Sequence, residues 1–197
     1  MHATGPAGSS DAAHAEDRAL LGAVARRDPV AVRRLLDEVA PVVHGFLYAR
    51  VGGDEAAAED LLQETLLEAV RSAGSYRGDA ALSTWLCAIA RRRLARHYEA
   101  ERRAEAARAG LHLVARSDGA DGESGTFDDV ARRDQIVRAL GRIPVTHRQV
   151  LVLKYLDAMS VEDIASELGR SRVQVQSLLQ RARDGLRREL AGEGDGG

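Results

Sequence analysis

The sequence is poor in cysteine, proline and aromatic residues. It has one cysteine, Cys87, which excludes an internal disulfide and predicts a reducing compartment. Aromatic residues make up 4% of the 197 residues and there are 4 prolines, whereas alanine, leucine, arginine and glutamate dominate. Those four are strong helix formers, and no stretch alternates apolar and polar residues with the period of a β-strand. The composition therefore predicts an all-α protein.

Long apolar runs and the usual signatures of catalysis are also missing. No apolar run approaches the roughly 18 residues of a membrane-spanning helix, and no basic-then-apolar segment opens the chain. We therefore expect a cytoplasmic protein without membrane insertion. The 6 histidines are scattered, and neither a glycine-rich phosphate loop nor a nucleophile elbow is present. These features predict no enzyme, no catalytic residues, no metal and no cofactor.

The net charge of −2 hides two segments of opposite sign. Positions 54–68 contain 6 acidic residues and no basic one, whereas positions 170–188 contain 6 arginines and a single aspartate. Lysine occurs once, at Lys154, so nearly every positive charge is an arginine. Local blocks of this kind say more about partners than the total charge does.

Composition also predicts two small helical domains joined by a flexible acidic linker. Residues 1–16 are small and polar, which predicts a disordered tail, and helical patterning begins near Asp17. The segment RSDGADGESGTFDD, at 116–129, is rich in glycine and acids, as linkers are. We therefore expect a first domain at 17–108, a linker at 109–127, a second domain at 128–190 and a disordered tail at 191–197.

Local signals mark the helices of the first domain. Asp28-Pro29 pairs an N-cap residue with proline at the first helical position, which predicts a helix that runs to about Arg50. Gly52-Gly53 ends that helix, Asp54 caps the next one, and a further helix begins near Ser83.

The second domain ends in two helices joined by a tight turn. Ser160 to Asp163 and Ser171 to Gln174 both have the pattern of a capping box, and their spacing leaves room for a helix of about eight residues. Gly169 stands where the turn needs a positive φ. The second helix has an apolar stripe at helical spacing, formed by Val175, Leu179, Ala182 and Leu186. This pattern predicts a helix-turn-helix, whose second helix enters the major groove of DNA.

The opposite face of that second helix is polar, and we call it the recognition face: Val173, Gln174, Gln176, Ser177, Gln180 and Arg181. Glutamine can bond an adenine edge through two hydrogen bonds, and Val173 can contact a thymine methyl group. Flanking arginines are expected to bind phosphates and set the register: Arg170, Arg172, Arg183, Arg187 and Arg188. The alternative is a helical hairpin with a solvated polar face.

The helix at 54–72 has a second candidate surface, which we call the acidic stripe: Asp60, Gln63, Glu64 and Leu67. Its opposite face is apolar, with Ala58, Leu61, Leu62, Leu66 and Ala69. An exposed leucine among acids and an amide indicates a docking surface for a basic protein partner. The alternative is a solvated helix face with one exposed leucine.

A third candidate surface combines loop 75–79 with the helix that follows it. The loop offers an aromatic ring, a cation and an acid to an unstacked base, through Ser75, Tyr76, Arg77 and Asp79. Small residues and arginines on the next helix would let a nucleic-acid backbone come close, namely Thr84, Ala88 and Arg91, with Arg92 at the edge. Trp85, Leu86 and Ile89 have the spacing of a core face.

Three motifs together resemble the extracytoplasmic-function sigma factors of bacterial RNA polymerase. They are AAAEDLLQETLLEAV, SYRGDAALSTWLCAIARRRL, and the segment from ALGRIPVTHRQV to QRARDGLRREL, which includes the helix-turn-helix. The resemblance covers about 160 residues in both predicted domains and in the same order. It implies a promoter-specificity subunit that binds core RNA polymerase and promoter DNA and is held in check by an anti-sigma factor.

The resemblance also implies a role for each surface. The acidic stripe matches the family's motif for docking on the polymerase clamp, loop 75–79 and the next helix match the element that melts the −10 region, and the helix-turn-helix matches the −35 reader. The family usually has Gly-Thr-Val-Lys-Ser-Arg-Leu where this chain has VQVQSLL, so Gln176 and Leu178 replace cations and the family's −35 preference does not transfer. A free-standing helix-turn-helix regulator is the alternative, but it gives no reason for the acidic stripe.

Overall fold

A computed structural model describes residues 7–109 and 129–192 of the chain. Every regular element in those two ranges is helical, so the predicted all-α fold is confirmed for them. The predicted linker, apart from residue 109, and most of the C-terminal tail lie outside the described residues, as does the start of the N-terminal tail. None of the described helices is long and apolar enough to cross a membrane.

Nine α-helices follow one another along the described chain. In order they are α1 (Ala7–Ala25), α2 (Pro29–Arg34), α3 (Ala40–Val51), α4 (Glu55–Arg71), α5 (Leu82–Ala109), α6 (Asp129–Arg142), α7 (Val145–Leu151), α8 (Val161–Leu168) and α9 (Arg172–Gly192). A π-helical turn, Leu35–Val39, joins α2 to α3, and another, Val152–Leu156, extends α7. A 3-10 turn, Ala73–Ser75, follows α4.

Helix α1 begins earlier than the sequence predicted. It starts at Ala7, whereas the small polar composition indicated a disordered tail up to residue 16. Residues 10–16 contain three alanines, which favour the helix more than any other residue and outweigh the local glycine and serines. Residues 7–16 are therefore helical in the structure, where the composition predicted a tail.

The described helices form two compact units. The first contains α1, α2, residues 40–48 of α3, α4 and residues 82–95 of α5. Its fully buried side chains come from several of these helices, among them Leu21, Val43, Leu47, Leu86 and Ile89. Burying each such side chain stabilises the unit by roughly 1.5–3 kcal/mol relative to leaving it in water. The predicted cap of α2 is confirmed, because the Asp28 carboxylate accepts the Val30 N–H at 2.8 Å.

The second unit is built around α9, which α6, α7 and α8 all contact. Its core contains Leu140, Ile143, Val150, Leu151, Ile164, Val175, Leu178, Leu179 and Ala182. This unit also includes Ala49–Asp54 and residues 96–109 of α5, so its boundary does not follow the predicted domains at 17–108 and 128–190.

Buried polar contacts explain why those two segments belong to the second unit. Arg50 and Asp157 form an ion pair at 2.7 Å with side chains that are 8% and 7% exposed. The Tyr98 hydroxyl donates to the Arg50 carbonyl oxygen, and Arg148 pairs with Glu101. These partners are far apart in sequence, so no local pattern predicts the pairs.

Candidate functional site

The turn of the helix-turn-helix has the geometry that the sequence predicts. Gly169 ends α8 with a φ of 60°, and its N–H donates to the last turn of α8. Ser160 caps α8 by accepting the Asp163 N–H at 3.1 Å. At the start of α9, the Ser171 hydroxyl accepts the Gln174 N–H at 3.3 Å and the Gln174 side chain accepts the Ser171 N–H at 2.8 Å. Both capping boxes therefore satisfy backbone donors that a helix start leaves free.

All members of the recognition face are exposed on α9. Val173 has the most exposed apolar side chain among them, at 74%. Of the flanking arginines, Arg183 is half-buried, and its Nε donates to the Leu179 carbonyl oxygen at 3.2 Å. The other four are exposed: Arg170, Arg172, Arg187 and Arg188. The surface that the sequence predicted for DNA is thus open and rich in donors.

The three glutamines of the recognition face differ in what their side chains contact. Gln174 is engaged in the capping box, and the Gln180 Nε2 lies 3.3 Å from the Asp184 carboxylate. Within the described ranges, the Gln176 side chain makes no hydrogen bond to another residue. Gln176 can therefore offer its whole amide to a base edge, whereas the other two must first give up a contact.

Leu178 belongs to the core, which the predicted apolar stripe of α9 left out. Its side chain is 3% exposed and packs with Val175, Leu179 and Ala182. These four residues follow the i, i+3, i+4, i+7 spacing of a buried helix face. Leu186, which the stripe included, is only half-buried. Position 178, where the family that the sequence resembles usually has a cation, therefore holds a core residue in this chain.

The acidic stripe lies on one exposed face of α4. Asp60, Gln63, Glu64 and Leu67 are all exposed, and Leu67 is 57% exposed. Glu64 lies 3.3 Å from Arg93, in an ion pair whose carboxylate side is largely in water. On the opposite face Ala58, Leu61 and Ala69 are buried as predicted.

Thr65 is a buried residue of α4 that the predicted apolar face missed. Its hydroxyl donates to the Leu61 carbonyl oxygen at 2.7 Å. This bond within one turn satisfies the hydroxyl, so a polar residue can be buried there. Leu62 and Leu66, which were predicted to be core, are half-buried.

Tyr76 is buried, and this corrects the sequence prediction for loop 75–79. The side chain is 7% exposed, and its ring lies 5.2 Å from the ring of Trp85, centroid to centroid. Its hydroxyl donates to the Ala80 carbonyl oxygen at 2.7 Å. Burial raises the pKa of Tyr76 to about 12, and the Asp17 carboxylate adds to the shift, so the hydroxyl stays protonated and remains a donor. The ring is part of the loop's support and is not an open surface for a base.

The rest of the third candidate surface is exposed. The side chains of Arg77 and Asp79 are 85% and 84% exposed and approach each other at 3.7 Å. Ser75 is exposed as well, and so are the predicted residues of α5, namely Thr84, Ala88, Arg91 and Arg92. Trp85, predicted as core, is half-buried. The loop therefore presents a cation and an acid, while its one aromatic residue, Tyr76, is buried.

Two residues of α1 that the sequence did not single out contact this loop and the first residue of α5. The Asp17 carboxylate accepts the Leu82 N–H at 2.8 Å, and Arg18 Nη1 donates to the Arg77 carbonyl oxygen at 2.9 Å. These pairs are 65 and 59 residues apart in the chain. No motif or spacing could have found them, because each contact depends on how α1 packs.

The described residues contain no group of three or more histidine, cysteine, aspartate or glutamate side chains that could hold a metal ion. The three candidate surfaces consist instead of exposed polar, charged and single apolar side chains. Such groups are suited to recognition of macromolecules.

Comparison with known proteins gives two matching family models. Sigma-70 region 2 matches residues 35–104, and Sigma-70, region 4 matches residues 133–185. The RNA polymerase sigma factor CarQ of Myxococcus xanthus is 33% identical over 156 residues, which are 78% of this chain and 85% of CarQ. The ECF RNA polymerase sigma factor BldN of Streptomyces coelicolor is 29% identical over 179 residues, which are 90% of this chain and 66% of BldN.

One similar solved structure is that of the sigma factor RpoE in complex with the anti-sigma factor NepR from Bartonella quintana. It has 24% sequence identity and a TM-score of 0.45, and the match covers 81% of this chain and 95% of that chain. Loop 75–79 and the acidic stripe lie inside the region 2 match, and the recognition face lies inside the region 4 match.

Proposed function

This chain belongs to the extracytoplasmic-function (ECF) RNA polymerase sigma factors, which direct promoter-specific transcription initiation, and we propose that it does so through three exposed surfaces. The acidic stripe binds core RNA polymerase, loop 75–79 with the exposed face of α5 binds the −10 element, and the recognition face reads the −35 element. The observation that carries the proposal is the presence of an exposed acidic stripe and a basic helix-turn-helix in one chain.

The acidic stripe fits a basic protein partner better than it fits DNA. Its acids would repel phosphates, whereas a basic helix would meet both the carboxylates and the exposed side chain of Leu67. The contact of Glu64 with Arg93 does not block this role, because an exposed ion pair of this kind contributes only about 0–1 kcal/mol and rearranges readily.

Charge reversal tests this assignment. We expect Asp60→Arg combined with Glu64→Arg to weaken core polymerase binding by about tenfold or more, because each reversal turns attraction into repulsion. Glu59→Arg is the matched control, since Glu59 is an exposed acid of α4 outside the stripe. Binding is measured by fluorescence titration, with circular dichroism as the check on folding. Equal affinities for the double variant and the control would refute the docking role.

The −10 assignment depends on the exposed groups of loop 75–79 and α5. Arg77 and Asp79 can bond the edges of an unpaired base, and Arg91 and Arg92 can bind the adjacent backbone. With Tyr76 buried, base capture uses hydrogen bonds from the loop and not stacking on that ring. We expect Arg77→Ala and Asp79→Ala to change the preference for −10 sequences when a randomised −10 library is transcribed.

The −35 assignment distinguishes the residues that contact base edges from those that bind phosphates. The glutamines and Val173 contact base edges, while Arg170, Arg172, Arg183, Arg187 and Arg188 bind phosphates and set the register. The ion pair between Arg172 and Glu162, at 2.6 Å, is exposed on both sides and can exchange for a phosphate. DNA binding of this type has a steep salt dependence, because each phosphate contact releases counterions.

Reconstitution distinguishes this function from that of a free-standing regulator. The purified chain is added to core polymerase, and run-off transcription is measured on genomic fragments. We expect promoter-specific transcripts only when both are present, and weak, poorly selective DNA binding by the chain alone. Tight, selective binding without polymerase would favour the regulator instead.

Sigma factors act as initiation factors, and we propose that this chain supplies no catalytic step and works in the cytoplasm beside the polymerase.

We also propose an anti-sigma factor as a partner, as membership in the family implies. The exposed acidic stripe and the exposed basic face of α9 are surfaces that such a partner would cover. Transcription from a cognate promoter at full level in every condition, with no repressing locus, would count against this partner.

A further inference from the structure

Helix α1 caps the start of α5, just after loop 75–79, with a carboxylate that is far away in the sequence. The Ala81 carbonyl oxygen accepts the Trp85 N–H at 3.1 Å, which makes Ala81 the N-cap residue of α5. Alanine has no side-chain oxygen, so it cannot satisfy the free N–H groups of the first turn. The Asp17 carboxylate of α1 takes that role by accepting the Leu82 N–H at 2.8 Å. A negative charge is also favourable at a helix N-terminus.

The same carboxylate also lies near Tyr76, the buried residue of the loop. Asp17 Oδ2 is 3.3 Å from the Tyr76 hydroxyl, which donates to Ala80 at 2.7 Å. One side chain of α1 thus reaches both ends of the segment between Tyr76 and Leu82.

The tip of the loop is held by α1 as well. Arg18 donates to the Arg77 carbonyl oxygen at 2.9 Å. Gly78 has a φ of 78°, and a Cβ placed on it would lie 3.2 Å from the His14 carbonyl oxygen and 3.3 Å from the Arg18 side chain. The backbone at the tip therefore packs closely against α1, while the side chains of Arg77 and Asp79 point into water.

From these contacts we propose that Asp17 and Arg18 are positioning residues for −10 recognition, which makes α1 part of the promoter reader although it lies before the region 2 match at 35–104. They hold the loop backbone so that Arg77 and Asp79 face the unpaired bases in one fixed geometry. This inference rests on the proposed role of loop 75–79 in binding the −10 element.

The mechanism predicts a loss of selectivity and not only of activity. A loop that is free to move still brings charge to the DNA, but its hydrogen-bonding groups no longer meet a given base at a fixed distance and angle. Asp17→Ala removes the cap and the contact with Tyr76. Asp17→Asn keeps an oxygen that can accept the Leu82 N–H, so it should rescue most of the effect.

The test uses the full-length chain with core polymerase and a randomised −10 library. We expect Asp17→Ala and Arg18→Ala to reduce the ratio of transcription between preferred and disfavoured −10 sequences by about fivefold, the size that loss of one cap or charged hydrogen bond allows. Asp17→Asn should stay close to wild type. Core polymerase binding should not change. Asp37→Ala and Arg26→Ala are the matched controls, because both residues are exposed in the N-terminal part of the chain and, among the described residues, neither forms a hydrogen bond or ion pair with the loop or α5.

The outcomes separate this inference from the function on which it rests. If Arg77→Ala and Asp79→Ala alter −10 preference while Asp17→Ala and Arg18→Ala lower transcription from all −10 sequences equally, α1 is only a structural support and the inference is overturned. If Arg77→Ala and Asp79→Ala also leave the preference unchanged, the −10 role of the loop fails instead, and this inference fails with it. Altered preference in Arg77→Ala, Asp79→Ala, Asp17→Ala and Arg18→Ala, with Asp17→Asn close to the wild type, supports it.

Discussion

Gln176→Ala should change which −35 sequences the chain prefers more than it changes how strongly it binds. Gln176 is exposed on α9 and its side chain makes no hydrogen bond within the described ranges, so its whole amide is available to an adenine edge. A bidentate pair of this kind discriminates against a wrong base by about 1–3 kcal/mol, which corresponds to about 5–150-fold. Removal of the amide should therefore flatten the preference at one base pair by that factor.

The other two glutamines of the recognition face provide internal controls. The Gln174 side chain accepts the Ser171 N–H at 2.8 Å and so stabilises the start of α9. We therefore expect Gln174→Ala to lower the free energy of unfolding by about 1 kcal/mol. In a domain of this size that lowers Tm by about 4–8 °C, with little change in preference. Gln180 must leave the Asp184 carboxylate before it can bond a base, so Gln180→Ala should have a smaller effect on preference than Gln176→Ala.

The assay is transcription of a randomised −35 library by polymerase reconstituted with each variant, followed by sequencing of the transcripts. Thermal unfolding of each purified variant accompanies it. If Gln176→Ala keeps the wild-type preference while Gln180→Ala or Gln174→Ala loses it, the reasoning from free and engaged amides is wrong. If all three keep it and merely lose activity, none of the glutamines is a reader, and Arg181 becomes the next candidate.

Three further predictions concern charge, the turn and the buried ion pair. Arg187→Ala should weaken DNA binding at all promoters alike and reduce the slope of log K against log salt concentration by about one unit. A change in sequence preference would contradict a phosphate-binding role. Gly169→Ala should lower the free energy of unfolding by about 1–2 kcal/mol, as measured by denaturant unfolding. A Cβ there meets no atom within 4 Å, so only the strain of the backbone at φ 60° contributes. An unchanged free energy of unfolding would contradict this geometry. Arg50→Ala should destabilise the second unit by about 3–5 kcal/mol, since it removes the arginine that pairs with the buried Asp157 carboxylate at 2.7 Å, and the double variant Arg50→Ala with Asp157→Ala should recover part of the loss.

Local sequence alone determined the parts of this protein that depend on neighbouring residues. The two capping boxes at Ser160 and Ser171, the left-handed Gly169 and the cap at Asp28 were all predictable, because each involves groups within a few residues of one another. The exposed acidic stripe and the recognition face followed from helical periodicity in the same way. Local patterns also failed at some positions: composition suggested a tail at the start of α1, and periodicity left Leu178 and Thr65 out of the buried faces.

Tertiary structure decided what those surfaces can do. Whether Tyr76 meets DNA or supports the loop depends on its packing against Trp85, and which glutamine is free depends on the contacts of Gln174 and Gln180. Leu178 is in the core because α9 packs against α6, α7 and α8. The cap that Asp17 places on α5 spans 65 residues of chain, and no local pattern records a contact that exists only once two helices pack together.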